Sequence, residues 1–281
     1  TVQSSDKSLV KELKSRTMLV ELLSEDPQVL KKLIKRKPHL VASYKRNIKE
    51  TNTLLKKVSK QYWKLGVQIL YKTKQEVEEL REIESQKKKK NRTAYSLMHI
   101  RFFSEKHETR EESAVLTSVK YTSDASYLHL DFWDGTSILY TSFPRVIPTE
   151  ADVVFVIRSL FHQIKGMEFG KDLTDLCKEN GPQVRDKILL VTQKQISEIK
   201  VKDLVKIYKY PYEVVSQDKI DQVIVSADPK YVTIVACDQS DTVVMKNLVL
   251  TGSGKIAGYF VYGTRPPYSK KDFKELTKYS K

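Results

Sequence analysis

Twice in the 281 residues the same punctuation appears: a glycine in an apolar hairpin, a proline-bearing loop, then a Ser/Thr-x-x-Asp cap that opens a helix. The first set is Gly135, Pro144 and Pro148, and Thr149-Glu150-Ala151-Asp152; the second is Gly254, Pro266 and Pro267, and Ser269-Lys270-Lys271-Asp272. A hydroxyl three residues ahead of a carboxylate satisfies two N–H groups that a helix start leaves unbonded, so each set closes a strand pair and opens a helix. A chain punctuated in this way is constrained to two related units.

The segments around these marks agree. In the first half, Leu9, Val10 and Leu13 predict a short amphipathic helix, and residues 17–23 a buried strand. Asp26-Pro27 starts a helix that Pro38 interrupts. The stripe Val41, Tyr44, Ile48, Leu55, Val58 and Tyr62 recurs at helical period and predicts a helix from about Pro38 to Lys64. A strand at 67–71 and a Thr73-capped helix to about Glu84 follow, then strands at 94–103, 113–121, 126–133 and 137–142. Asp134-Gly135 predicts a type I′ turn in the last pair. Val153, Val154, Phe155, Val156, Ile157, Leu160, Phe161 and Ile164 make the next helix apolar nearly all round, as in a central element.

The second half reads strand 187–191, helix 201–208, strand 212–215, helix 218–226, strands 231–237, 242–251 and 255–262, and a helix opened by Ser269. The expected fold class is mixed α/β (α+β): two tandem β-α-β-α-meander-α units, residues 1–167 and 168–281, with mixed sheets and helices packed on them.

No apolar run approaches the roughly 20 residues of a spanning helix. Cys177 and Cys237 are too few for a disulfide scaffold and lack zinc or CxxC spacing; one bridge and two buried thiols both remain open. The formal charge of +15 is concentrated: residues 1–100 hold 24 Lys and Arg against 11 Asp and Glu. Such a field attracts polyanions. Lys45, Lys49, Lys56 and Lys60 flank the apolar stripe of the long helix, and Lys87, Lys88, Lys89, Lys90 and Arg92 form a second basic patch. Lysine dominates and no stacking aromatics interleave, so base-specific recognition is not favoured and a solvated surface is the plainer reading.

Signatures of chemistry are sparse. Gly252-Ser253-Gly254-Lys255 lies between two strand runs and reads as a hairpin, not a phosphate loop. His99, His129 and Asp131 would form an acid-base or metal set if neighbouring strands brought them together, but alternation with apolar neighbours places the histidines on a solvent face. Asp124 and Asp134 suit turn and strand-end duties, and no cofactor is expected. Tyr208, Tyr210, Tyr212, Tyr259, Phe260, Tyr262 and Tyr268 cluster at element ends, where packing and a tyrosine-rich interface compete as explanations.

Tyr208-Lys-Tyr-Pro-Tyr-Glu-Val-Val, Ala227-Asp-Pro-Lys-Tyr, Gly254-Lys255-Ile256 and Lys270-Lys-Asp-Phe-Lys together resemble a group of uncharacterised secreted bacterial proteins, with Ser253 where that group carries an acidic residue. The opening Arg16-Thr17-Met18-Leu19-Val20 and Leu30-Lys-Lys-Leu fit the same pattern. The resemblance implies a cleaved leader, with which a start at Thr1 agrees, and a secreted or periplasmic location; it carries no activity. A fainter likeness is to the periplasmic α/β domain of curli-type secretion lipoproteins. The expectation is a non-enzymatic binding or assembly factor at the cell envelope with an unknown protein or polyanionic partner. Alternatives are a polyanion or nucleic-acid binder acting through the basic N-terminal helices, and an enzyme with a site in the cleft between the two units.

Overall fold

The structure, a computed structural model, describes residues 7–87, 94–103, 125–238, 244–261 and 267–280. The strand expected at 113–121 and Asp124 lie outside the described residues. Along the first half run α1 (Lys7–Ser15), β1 (Thr17–Leu22), α2 (Pro27–Arg36), a 3₁₀ turn (Pro38–Leu40), α3 (Val41–Tyr62), β2 (Ile69–Thr73), α4 (Lys74–Gln86), β3 (Tyr95–Phe103), β4 (Ala125–Phe132), β5 (Ser137–Ser142) and α5 (Glu150–Glu168). The second half repeats that order with α6 (Leu173–Asn180), β6 (Ile188–Val191), α7 (Gln193–Ile196), α8 (Val201–Ile207), β7 (Tyr212–Val214), α9 (Gln217–Ser226), β8 (Tyr231–Asp238), β9 (Val244–Leu250), β10 (Ile256–Val261) and α10 (Lys270–Leu276).

The sheets repeat as well. The first has the order β2-β1-β3-β4-β5 and the second β7-β6-β8-β9-β10, the same path through equivalent strands. β1 runs parallel to β2 and β3, as β6 does to β7 and β8, whereas β8 and β9, and β9 and β10, are antiparallel. The reason is in the connections: helices cross between the parallel strands, and a short turn joins β9 to β10. The fold is therefore mixed α+β, with two five-stranded sheets among the described residues. Of the described residues, those within 1–100, 128–141 and 147–173 form one compact unit and those within 101–127, 142–146 and 174–280 the other.

Both caps that mark the repeat are made. Thr149 N donates to Asp152 Oδ2 at 2.9 Å and Asp152 N to Thr149 Oγ1 at 3.4 Å. Ser269 N donates to Asp272 Oδ2 at 2.7 Å and Asp272 N to Ser269 Oγ at 3.3 Å. A third capping box opens α4, where Thr73 N at 2.7 Å, Thr73 Oγ1 at 3.0 Å and Lys72 Nζ at 3.0 Å converge on Glu76. These donors, the Thr73 backbone N–H foremost, hold the Glu76 carboxyl at about 2, down from the ordinary 4.5. A folded-state value below the unfolded one means that the stabilisation is complete above the unfolded value and is lost as pH falls through about 2. The expected NMR titration midpoint of Glu76 is near 2, moving upward in Thr73→Ala; a midpoint in the ordinary glutamate range would contradict the cap.

Two local expectations are corrected. A type I′ turn needs positive φ at both central residues, but of Asp134 and Gly135 only Gly135 has it, at 88°. Phe132 instead accepts from Gly135 N at 2.9 Å and donates to Thr136 O at 2.8 Å, a three-residue hairpin closed by a left-handed glycine. β2 begins at Ile69 rather than Val67, because Gly66, at φ 86°, still turns the chain there while Val67 N bonds Arg16 O at 3.0 Å. Of the two explanations open for the aromatic residues, packing holds at both ends of the set: Tyr208 and Tyr268 are fully buried in the second unit's core with Val232, Ile234, Leu248, Phe273 and Leu276. Burial pushes the Tyr208 hydroxyl upward in pKa. Tyr262 lies outside the described residues. The 252–254 segment is the β9–β10 turn, with Ser253 N and Gly254 N both donating to Leu250 O.

In the first unit α5 packs against α1 and α3, and α3 against β1. On the opposite sheet face Leu19, Leu97 and Val77 of α4 form a second cluster, joined by Tyr95 and Trp133. Alternation along β3 and β4 sends Leu97 and His99, and His129 and Asp131, to this second face. Cys177 and Cys237 are both buried and no disulfide joins them. Among the described residues no helix is long and apolar enough to cross a membrane.

Candidate functional site

Between Pro27 and Lys64 the chain carries twelve Lys and Arg (31, 32, 35, 36, 37, 45, 46, 49, 56, 57, 60 and 64) against the single acid Glu50. On α3 the arrangement follows from helical arithmetic. Lys45, Lys49, Lys56 and Lys60, at i, i+4, i+11 and i+15, fall within roughly 60° of one another and extend over about 22 Å of helix axis. Thr51, Leu55, Val58 and Ser59 occupy the buried side. All four lysines are exposed. Lys45 pairs with Glu25 at 3.0 Å, and the neighbouring Lys57 with Glu150 at 2.5 Å. Lys49, Lys56 and Lys60 make no ion pair among the described residues. Of the second basic patch, Lys87 pairs with Glu84 at 2.8 Å, and Lys88, Lys89, Lys90 and Arg92 lie outside the described residues.

The sequence marks the start of the helix before this ridge at Asp26-Pro27, but its apolar face was not among the expectations. Asp26 caps α2 by accepting from Gln28 N at 2.7 Å and Val29 N at 3.1 Å, with Pro27 in the first turn. At 3.6 residues per turn Val29, Leu30, Leu33 and Ile34 fall in one arc of about 140°, and Lys31, Lys32, Lys35 and Arg36 in the opposite one. Such an apolar stripe ordinarily lies against a core. Here α2 buries none of its residues: Val29 is 38% and Ile34 59% exposed, and Leu40, in the turn that follows, 39%. The signal for that face was present, since paired apolar and paired basic residues alternate through VLKKLIKR.

The polar cluster is also assembled, but not where expected. His99 and His129 are each only 9% exposed and Asp131 2%. The solvent-face placement therefore fails, because alternation fixes which face a side chain takes and not whether that face is covered. His99 Nε2 lies 2.8 Å from Asp131 Oδ2. The His99 and His129 rings sit 5.7 Å apart edge-on, and Tyr140 of β5 stacks on His129 at 5.1 Å and 17°. All the residues of this cluster belong to the first unit, so it is a feature of one sheet.

Compared with protein-family profiles, with curated proteins and with solved structures, the chain shows no match.

Proposed function

We propose that the chain is a non-catalytic binding factor of the cell envelope that seats on an anionic lipid surface through α2, with the lysines of α3 adding to the attraction. The observation that carries this reading is the exposure of Val29 and Ile34 on an apolar face of α2 of which no residue is buried, opposite four cations. A short helix with one apolar and one cationic face partitions into the headgroup boundary, where apolar burial and attraction to acidic lipid act together. A polyanion in water would use the cations and leave Val29, Ile34 and Leu40 without a role. The ridge on α3 supports a second reading, a nucleic-acid or other polyanion binder, because four like charges along about 22 Å of helix can follow a row of phosphates.

Co-sedimentation with vesicles of neutral phosphatidylcholine, and of phosphatidylcholine mixed equally with phosphatidylglycerol, separates the two readings when run beside duplex DNA at about 50 and 300 mM salt. The expected result is binding to the acidic vesicles alone, weakened but not abolished by salt, and reduced about tenfold or more by the pair Val29→Ser and Ile34→Ser, which removes most of two apolar side chains. Binding to DNA that collapses with salt and ignores the serine pair would install the polyanion reading. No binding to either probe would reject both.

A further inference from the structure

We propose that His99, His129 and Asp131 form a binding site for a divalent transition-metal ion of the zinc class. The three side chains offer two imidazole nitrogens and one carboxylate oxygen, all within 4.8 Å of one another. Around a tetrahedral zinc ion with bonds near 2.0–2.2 Å, ligand atoms stand about 3.3 Å apart. The 2.8 Å contact between His99 Nε2 and Asp131 Oδ2 thus needs to open by roughly half an ångström, and the widest separation in the set, at most 4.8 Å, needs to close by up to about 1.5 Å. The proton that joins imidazole to carboxylate in that contact stands where the metal would, so binding the ion displaces a proton.

Three further observations favour a built site. The donors stand on neighbouring strands, His99 on β3 and His129 and Asp131 on β4, so their spacing is set by the sheet and not by a loop. Tyr140, stacked on His129, fixes the plane of that ring. The carboxylate is 2% exposed, so the donor set lies in a poorly solvated place where a metal–ligand bond competes with little water. The fold itself does not require these residues. Tyr95 and Tyr231 open the third strand of each unit, and four positions on, where the first unit has His99, the second has Val235, within a sheet of the same strand order. Nitrogen donors with a single carboxylate suit zinc, cobalt, nickel or copper and disfavour calcium and magnesium, which take oxygen. Three protein donors leave a coordination position for water or for a ligand.

The test uses the full chain stripped with a chelator and titrated with zinc against a chromophoric competitor. One equivalent is expected to bind more tightly than about 10 µM, and His129→Phe, which keeps a ring to stack on Tyr140, and His99→Ala are each expected to weaken it at least about 100-fold. Loss of groups that merely orient metal ligands already costs 10–100-fold, and loss of a ligand should cost more. If either variant fails to fold, histidine NMR on the unaltered chain decides: zinc should shift the ring signals of His99 and His129, and leave those of His39 and His162 where they were. Wild-type affinity weaker than about 10 µM, undiminished binding by a folded variant, or ring shifts elsewhere would each overturn the site.

Discussion

Replacing Lys31, Lys32, Lys35 and Arg36 together by glutamine is expected to weaken partitioning onto acidic vesicles about 1000-fold. Each basic residue held near an anionic surface contributes about 1 kcal/mol, so four contribute about 4 kcal/mol, and 1.4 kcal/mol is a factor of ten. The arithmetic applies because all four are exposed and α2 buries none of its residues, so removing their charge leaves the core untouched. Helix formation is preserved, since glutamine has a helix propensity close to that of lysine and the Asp26 cap is not altered. The same substitutions at Lys45, Lys49, Lys56 and Lys60 supply the comparison. If the α3 set costs more than the α2 set, the ridge is the principal surface and α2 is secondary. A loss below tenfold in the α2 variant, with its circular dichroism unchanged, would remove α2 from the binding surface altogether.

What the sequence made legible, and what it hid, follows from the range of the interactions involved. Capping is local: Thr73, Thr149 and Ser269 announce their helices because hydroxyl, carboxylate and orphan N–H groups lie within three residues of one another. The repeated plan is legible for the same reason, as a succession of local signals. Burial is not local. The alternation that sent His99 and His129 to one sheet face was read correctly as alternation, yet whether that face meets solvent depends on what covers it. α2 shows the converse: its stripe of Val29, Leu30, Leu33 and Ile34 has the spacing of a core-facing helix, yet Leu30 and Leu33 are only half-buried and Val29 and Ile34 are exposed. Tyr208 and Tyr268 show the same limit: at element ends packing and an interface read alike in sequence, and the packing of α10 on the second sheet decides for the interior. Among the chemistry-bearing residues, the local pattern names His99, His129 and Asp131 as candidates, whereas their convergence, and the part of Tyr140, depends on strand order.

Lys246→Ala is expected to destabilise the second unit by about 3–5 kcal/mol, the cost of leaving one member of a buried ion pair without its counter-charge. Lys246 lies in the middle of β9 and is 0% exposed, and its Nζ stands 2.7 Å from Asp272 Oδ1. It is 4.8 Å from the ring centre of Tyr268 and 5.6 Å from that of Phe260. Asp272 is also the capping carboxylate of α10, so one lysine ties the last helix to the sheet through the group that starts the helix. Lys246→Met keeps most of the aliphatic stem against the two rings, and Asp272 retains its bonds from Ser269, so that variant is expected to lose less than half as much. The loss should be read from amide exchange in β9 and α10, because both tryptophans, Trp63 and Trp133, lie in the first unit and report on that unit. An alanine variant within about 1 kcal/mol of wild type would mean that the pair is neutral to folding; equal losses for alanine and methionine would assign the whole effect to the charge and none to the stem.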